Sequence, residues 1–374
     1  MQFTISKDVL LKGLGRVQGI VERKTTLPIL SNVLIEAAEG ELHLTATDLE
    51  VGMKSSYAAE VKSAGRVTVA AKKLYEIIKE LPDGEVSIRA KENSWIEIRC
   101  GKAIFNIVGL SADEFPFFPQ LGREQFLELQ ALELREMIDK TLFAVSTDES
   151  KYNLNGIYFR ELEDEDGRTV LRLVATDGHR LALIQRPLAG GAATEELRRG
   201  VIFPRKGIIE LKKMTEEGPG TILLGFLDNN AMVRKDQTTV VMRLVDGDFP
   251  DYSRVIPKSN EFTASLAADP FLHGLRRMAI LSSERSKGVK LQLRKSLLEI
   301  SSSNPELGDA REELEVDYDG PEIAIGFNAR YLIDILNAQN ETKINLHLKD
   351  NLSPGLLRPD LDPDFLAVVM PMRL

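Results

Sequence analysis

Phe3-Thr4-Ile5-Ser6 alternates apolar and polar residues, and the chain then changes period at Val9-Leu10-Leu11, Leu14 and Val17. Alternation by two is the signature of a strand, and apolar residues at i, i+3 and i+4 mark one face of a helix. The same order returns twice: Phe126-Leu127-Glu128-Leu129 precedes Leu134, Ile138, Leu142 and Val145, and Phe262-Thr263-Ala264-Ser265-Leu266 precedes Phe271, Leu272, Leu275, Met278 and Leu281. A second strand-to-helix unit also occurs three times. Val67-Thr68-Val69-Ala70-Ala71-Lys72-Lys73-Leu74 leads to Ile77-Ile78, Val201-Ile202-Phe203-Pro204-Arg205-Lys206 to Ile208-Ile209, and Ile323 through Arg330 to Leu332-Ile333. Phe3, Phe126 and Phe262 are spaced by 123 and 136 residues. That period is domain-sized, far above the roughly 20 to 50 residues of solenoid repeats.

Between these helices lie alternating stretches such as Glu41–Ala46, Ile96–Cys100, Leu171–Ala175 and Leu298–Ser301, which predict half-buried antiparallel strands. Two similar segments, Ala112-Asp113-Glu114-Phe115-Pro116 and Asp246-Gly247-Asp248-Phe249-Pro250, close the first and second copies. The expected plan is therefore α+β, with tandem domains over 1–123, 124–256 and 257–374, each carrying two helices on an antiparallel sheet. A chain of 374 residues is too long for one core, which agrees with that division.

Composition narrows the function. No apolar run approaches the roughly 18 to 20 residues of a membrane span. Met1 to Lys7 enters a strand pattern directly, so an uncleaved cytoplasmic protein is expected. Cys100 is the sole cysteine, which excludes an internal disulfide and a cysteine-built metal cluster. A formal charge of −9 argues against gripping nucleic acid by bulk positive charge, so any DNA role must come from charge placement. No phosphate loop, zinc spacing or nucleophile elbow is present. Of the histidines, His43 and His347 fall in strand patterns and His273 in a helix, where structural roles are the default. Ala175-Thr176-Asp177-Gly178-His179-Arg180-Leu181 holds an acid and a base, the basis of a rival reading as an enzyme, but Asp177-Gly178 is first of all a tight-turn signal.

The six predicted helices, taken as 7–24, 71–80, 131–146, 205–217, 269–287 and 328–340, carry 19 basic and 13 acidic residues, leaving −15 on the remainder. The second helix of each copy begins with cations: Lys72 and Lys73, Arg205 and Lys206, and Arg330. A cation at a helix amino end is disfavoured by the dipole by a few tenths to about 1 kcal/mol, so its threefold use points to phosphate contact.

Thr26-Leu27-Pro28-Ile29-Leu30, Thr47-Asp48-Leu49-Glu50, Leu154-Asn155-Gly156, the Ala175–Leu181 segment, Pro204-Arg205-Lys206-Gly207, Phe249-Pro250-Asp251-Tyr252 and the terminal Val368-Val369-Met370-Pro371-Met372-Arg373-Leu374 occur in that order. Along essentially its whole length the chain resembles the beta subunit family of bacterial DNA polymerase III, the sliding clamps. The resemblance implies a head-to-tail homodimer closed into a ring, with helices lining the hole and sheets outside. It implies a processivity factor that encircles duplex DNA without regard to sequence, needs no cofactor and catalyses nothing. By the same resemblance, DNA contacts fall on Lys24, Lys72, Arg205, Lys206, Tyr152 and Asn153, the last two in a loop that also carries Asp148 and Glu149.

A peptide-binding cleft is implied at Leu154, Thr176, Gly178, His179, Arg180, Leu181, Pro250, Arg254, Val255, Leu352, Pro354, Val368, Met370, Pro371, Met372 and Arg373. It would take short motifs of the DNA polymerase III catalytic subunit, the clamp loader, other polymerases and mismatch-repair proteins. For the dimer interface the resemblance points to Lys73 and Phe105 meeting Ile280 and Leu281, with Glu306, Asp309 and Glu312 facing a basic side.

Overall fold

All six periodic runs form helices, each entered from a strand. The computed structural model describes residues 1–21, 27–119, 126–188, 194–257, 261–283 and 287–373. Among them the helices are α1 (Lys7–Val17), α2 (Ala71–Glu80), α3 (Ala131–Leu142), α4 (Glu195–Arg199), α5 (Arg205–Glu216), α6 (Ala268–Ile280) and α7 (Ala329–Asn337). Helix α4 is an addition to the sequence reading, a short turn capped by the Thr194 hydroxyl, which accepts from the Leu197 amide. Helix α1 buries Leu10, Leu14 and Val17, while α2 buries Leu74 and Ile78, as the apolar spacing requires.

The chain divides into two compact units, Met1–Ala131 with Ile209–Leu244, and Leu132–Ile208 with Val245–Leu374. In the first, 13 strands form one antiparallel sheet. It begins as the sheet of the first copy and continues through strands of the second. Thr238–Arg243 pairs with Val51–Ala58, with Met242 opposite Val51 and Val241 opposite Gly52. The second unit repeats this device in an eight-stranded sheet, where Phe365–Val369 of the third copy pairs with Arg180–Pro187 of the second, Val369 opposite Arg180 and Val368 opposite Leu181. A separate four-stranded sheet runs Gly308–Glu315, Leu297–Asn304, Gly288–Arg294, Ile323–Asn328.

One pairing rule thus operates twice: the strand near the end of a copy covers an edge of the copy before it. Covering an edge satisfies its backbone N–H and C=O groups and removes a template for aggregation. Two counterparts remain open. Ala103–Val108 pairs with Trp95–Cys100 on one side, and among the described residues only Gly109 and Leu110 of the same strand pair on the other, with Val69 and Thr68. Gly308–Glu315 is the end strand of the four-stranded sheet.

The second unit also holds a cluster of four ions. Lys140 Nζ lies 2.6 Å from both Glu136 and Asp362, and Arg186 Nη2 lies 2.7 Å from Glu136 and 2.8 Å from Asp362. Lys140 is nearly buried and Glu136 is partly exposed.

Candidate functional site

Two turns with the same hydrogen-bond pattern stand at corresponding places in the first and second copies. In Thr176–Arg180, the Thr176 hydroxyl accepts from the Gly178 amide at 3.1 Å, and Asp177 Oδ1 accepts from the amides of His179 and Arg180 at 2.9 and 3.0 Å. In Thr47–Val51, the Thr47 hydroxyl accepts from the Leu49 amide at 3.0 Å, and Asp48 Oδ1 from those of Glu50 and Val51 at 2.9 and 2.6 Å. The shared Thr-Asp pair builds both turns. The third residue has positive φ in each, +91° at Gly178 and +77° at Leu49. Only glycine tolerates this without strain. Leu49 is exposed, so Leu49→Gly is expected to raise stability by about 0.5 to 1 kcal/mol, read as a higher urea midpoint.

The two copies differ in what lies beyond the turn. In the second, Leu154, Thr176, Gly178, His179, Arg180, Leu181, Pro250, Val255, Val368 and Met370 line a cavity of about 250 Å³, together with Asp251 and Tyr252. Its floor belongs to an apolar cluster of Val174, Leu181, Leu183, Leu356, Leu366 and Val368 on one face of the eight-stranded sheet. In the first copy, Gly52 occupies the place of Leu181, and the Phe118 ring lies so close that a Cβ on Gly52 would sit 3.1 Å from it. The chain's own aromatic covers that position.

Arg180 anchors the open pocket. Its guanidinium donates to Asp177 Oδ2 at 3.1 Å and Asp334 Oδ2 at 2.6 Å, and lies 4.5 Å from the centre of the Tyr331 ring. The His179 ring stacks toward the same Tyr331. Asp177 is thus committed to backbone amides and to Arg180, which is the arrangement of a structural turn. The Met370 amide donates to the His179 carbonyl at 2.9 Å, tying the terminal segment to this turn.

Six expected cleft residues do not line this cavity. Arg254 points outward, its Nε donating to Asp251 at 2.9 Å, because Asp251 caps the short helical turn Tyr252–Arg254. Leu352, Pro371, Met372 and Arg373 line a separate cavity of about 800 Å³ with Lys290, Ala324, Ile325, Gly326 and Asn351, where the Met372 amide donates to the Gly326 carbonyl. Pro354 is half-buried and lines neither. Tyr252 was missed although it follows the Phe249-Pro250-Asp251 signal. Its ring packs with Tyr158 and Phe249 to wall the pocket.

The expected DNA-contact residues fall in several places. Lys24 lies outside the described residues. Lys72 is exposed near Glu76, at 3.9 Å. Arg205 is exposed at the start of α5, and its amide donates to the Asn155 carbonyl, which brings it beside the Tyr152–Leu154 turn. Tyr152 is exposed, Asn153 Nδ2 donates to the Asp248 carbonyl, and Lys206 is half-buried. In the same loop the side chain and amide of Ser150 hold the Asp148 carboxyl below its usual range, keeping a negative charge there. First turns divide by type: α1, α3 and α6 carry Asp8, Glu133 and Asp269, whereas α2, α5 and α7 carry no acid.

Of the expected interface residues, Ile280 and Phe105 are exposed apolar side chains and Leu281 is half-buried. Lys73 is exposed and pairs with Glu76, while Glu312 accepts from Arg277 within the chain. Glu306 and Asp309 are exposed. No group of three or more metal-ligating side chains occurs among the described residues, and no helix there is long and apolar enough to cross a membrane.

Family models of the DNA polymerase III beta subunit match residues 1–119 (N-terminal domain), 128–251 (central domain) and 253–373 (C-terminal domain). The chain is 39% identical to the beta sliding clamp of Caulobacter vibrioides and 36% identical to that of Escherichia coli, each over the full length of both chains. Among solved structures, the C. crescentus beta sliding clamp with PEG bound superposes with a TM-score of 0.95 at 39% identity. The Bartonella birtlesii sliding clamp bound to griselimycin does so with a TM-score of 0.95 at 36% identity, and both cover the whole of each chain.

Proposed function

The chain belongs to the DNA polymerase III beta subunit family and is a DNA sliding clamp, and from that premise we propose that two copies close head to tail into a ring around duplex DNA. The three tandem domains, bounded near 123 and 256, would place their helices toward the DNA and their sheets outside. A ring holds by topology, so its lining needs only mild attraction. Strong phosphate neutralisation would make binding tight and salt-sensitive rather than mobile. Lys24, Lys72, Arg205, Lys206, Tyr152 and Asn153 are the proposed DNA contacts, supported by helix starts that combine cations with an absence of acids.

The observation that carries this reading is the pairing rule. It covers Val51–Ala58 and Arg180–Pro187 within the chain and leaves their third counterpart, Gly308–Glu315, open. Ala103–Val108, the counterpart of the covering strands, is also open, so one further application of the rule joins two copies. The register follows as well. Asn304 accepts from the Glu306 amide as Asp177 does from His179, which makes Leu307 the equivalent of Arg180. Val108 precedes Phe115 as Met242 precedes Phe249. Leu307 would then face Val108, both of them exposed apolar residues, and Asp309 would face Asn106. Phe105 and Ile280 add exposed apolar surface to the same contact, with Lys73 and Leu281 beside them.

The pocket at Leu181 and Met370 would dock short peptide segments of the DNA polymerase III catalytic subunit, the clamp loader, other polymerases and mismatch-repair proteins. Griselimycin bound to the Bartonella clamp supports a peptide-accepting surface in the family. The second cavity, with Leu352, Pro371, Met372 and Arg373, is the proposed continuation of that cleft. The chain itself would catalyse no reaction, and a cytoplasmic setting suits this role.

Asn106→Cys with Asp309→Cys tests ring closure, since Cys100 is buried and is the only native thiol. Oxidation should give a covalent dimer. On nicked circular DNA, the oxidised ring should withstand 1 M salt and leave when the circle is linearised. Absence of cross-linking, or equal retention on linear DNA, would defeat the reading.

A further inference from the structure

The sheet face that floors the docking pocket does not end there. Antiparallel partners share a face, so the register places Thr176, Val174 and Arg172 beside Leu181, Leu183 and Gln185, and these beside Val368 and Leu366. Leu356 and Arg358 continue the row, because Leu356 stands opposite Val368 and side chains alternate. One end of this face is apolar and forms the 250 Å³ pocket. The other end forms a second cavity of about 570 Å³, lined by Arg172, Arg358, Leu183, Ile256 and Leu366 among others. Tyr252 joins the two. It lines the apolar pocket, and its hydroxyl lies 3.5 Å from Arg172 Nη1.

The charges of the second cavity are unevenly matched. Asp164 is occupied by Arg168, at 2.8 Å from its Nε, and by the backbone amides of Asp166 and Arg168. Asp364 accepts from Gln185 Nε2 at 2.9 Å, and Glu165 and Asp166 stand exposed at the rim. The two arginines on the sheet face have no such partner. Arg172 donates to the neutral Gln185 Oε1 and Tyr252 hydroxyl, and the half-buried Arg358 has a buried Nε with no acceptor among the described residues. Beside it, burial and the Arg358 charge itself push the His347 pKa down, which favours the neutral ring next to that guanidinium. A buried charged donor left without an acceptor costs more than an ordinary unmade hydrogen bond. A planar guanidinium is best answered by a carboxylate.

We infer that this cavity is a second recognition station of the docking face, in which Arg172 and Arg358 bind a carboxylate of the partner segment whose aliphatic side chain fills the apolar pocket. The inference rests on the docking reading above. From Leu181 to Gln185 is four strand residues, about 13 Å at the usual rise. An extended partner therefore presents Glu or Asp about four residues from its apolar anchor. The carboxylate supplies selectivity among partners that share the same anchor, because the apolar pocket alone distinguishes aliphatic side chains weakly.

Fluorescence anisotropy with labelled tail peptides of the cognate polymerase catalytic subunit tests this. Glu, Gln or Lys is placed four residues before or after the anchoring leucine. On the native protein one Glu peptide should bind about tenfold more tightly than its Gln counterpart, and the Lys peptide no better than Gln. In Arg358→Gln that preference should vanish while the Gln peptide keeps its affinity; Arg358→Lys should restore part of it. Equal binding of Glu and Gln peptides, tightest binding by Lys, or a Glu preference that survives Arg358→Gln each overturns the proposal while leaving the docking pocket standing. Failure of every peptide to bind defeats the docking reading and this inference with it.

Discussion

Asp362→Ala is expected to destabilise the second unit by about 3 kcal/mol, the largest single-site effect on stability foreseen for this chain. The cause lies in the four-ion cluster. Asp362 is largely buried and receives hydrogen bonds from Lys140 at 2.6 Å and from Arg186 at 2.8 and 3.0 Å. Removing it leaves two cations sharing Glu136, and Lys140 has little access to water. Partial exposure of Glu136 screens the cluster and keeps the expectation at the lower end for broken buried pairs. Urea unfolding of the native protein and the variant measures the difference, and a loss below about 1 kcal/mol would show that water already carries these charges. The same cluster sets a pH dependence. Burial raises the carboxyl pKa values of Asp362 and Glu136, but hydrogen bonds from Arg186 and Lys140 outweigh it and leave both lowered. A depressed folded-state pKa contributes stability above the unfolded value and loses it as pH falls through the folded one. The native protein should therefore lose this contribution below about pH 4, and Asp362→Ala should show a shallower acid dependence.

Met370→Glu should weaken peptide docking by about 100-fold or more, the largest expected effect on binding. Met370 lines the apolar pocket, and its backbone amide, which the substitution retains, already holds the His179 carbonyl. A carboxylate placed there must be desolvated whenever an aliphatic side chain enters, and no cation in the pocket is uncommitted, since Arg180 already bridges Asp177 and Asp334. Anisotropy with the same tail peptides reads the loss. Retention on circular DNA and disulfide closure of the ring should not change, because the substituted side chain belongs to neither site. A change under threefold would place the docking surface elsewhere.

Helices and turns were readable where the determining contacts are local. Leu10, Leu14 and Val17 announce α1 by spacing alone, and Asp177-Gly178 announces its turn because a glycine at positive φ needs no tertiary support. The matching turn at Leu49 was hidden, since leucine carries no such signal and the conformation is imposed by the Thr47 and Asp48 side chains. Sheet continuity across copies was also hidden. Alternation tells that Val51–Ala58 is a strand, but not that its partner is Thr238–Arg243. The residues that line the cavity were named largely through resemblance rather than by local pattern: Arg254 pairs with Asp251 and is not among them, while its neighbour Tyr252 is. Arg172 and Arg358 gave no signal at all. They line one cavity only because three strand pairings bring distant segments onto one face.

The pairing of Val51–Ala58 with Thr238–Arg243 has a consequence for synthesis. A nascent chain presents the earlier strand long before its neighbour leaves the ribosome, a delay of roughly 10 to 40 s at ordinary elongation rates. During that interval a complete hydrophobic layer carries an unguarded rim, open to strands of other polypeptides emerging nearby. Chaperone demand should accordingly peak midway through translation, and fall once residue 243 is exposed outside the exit tunnel.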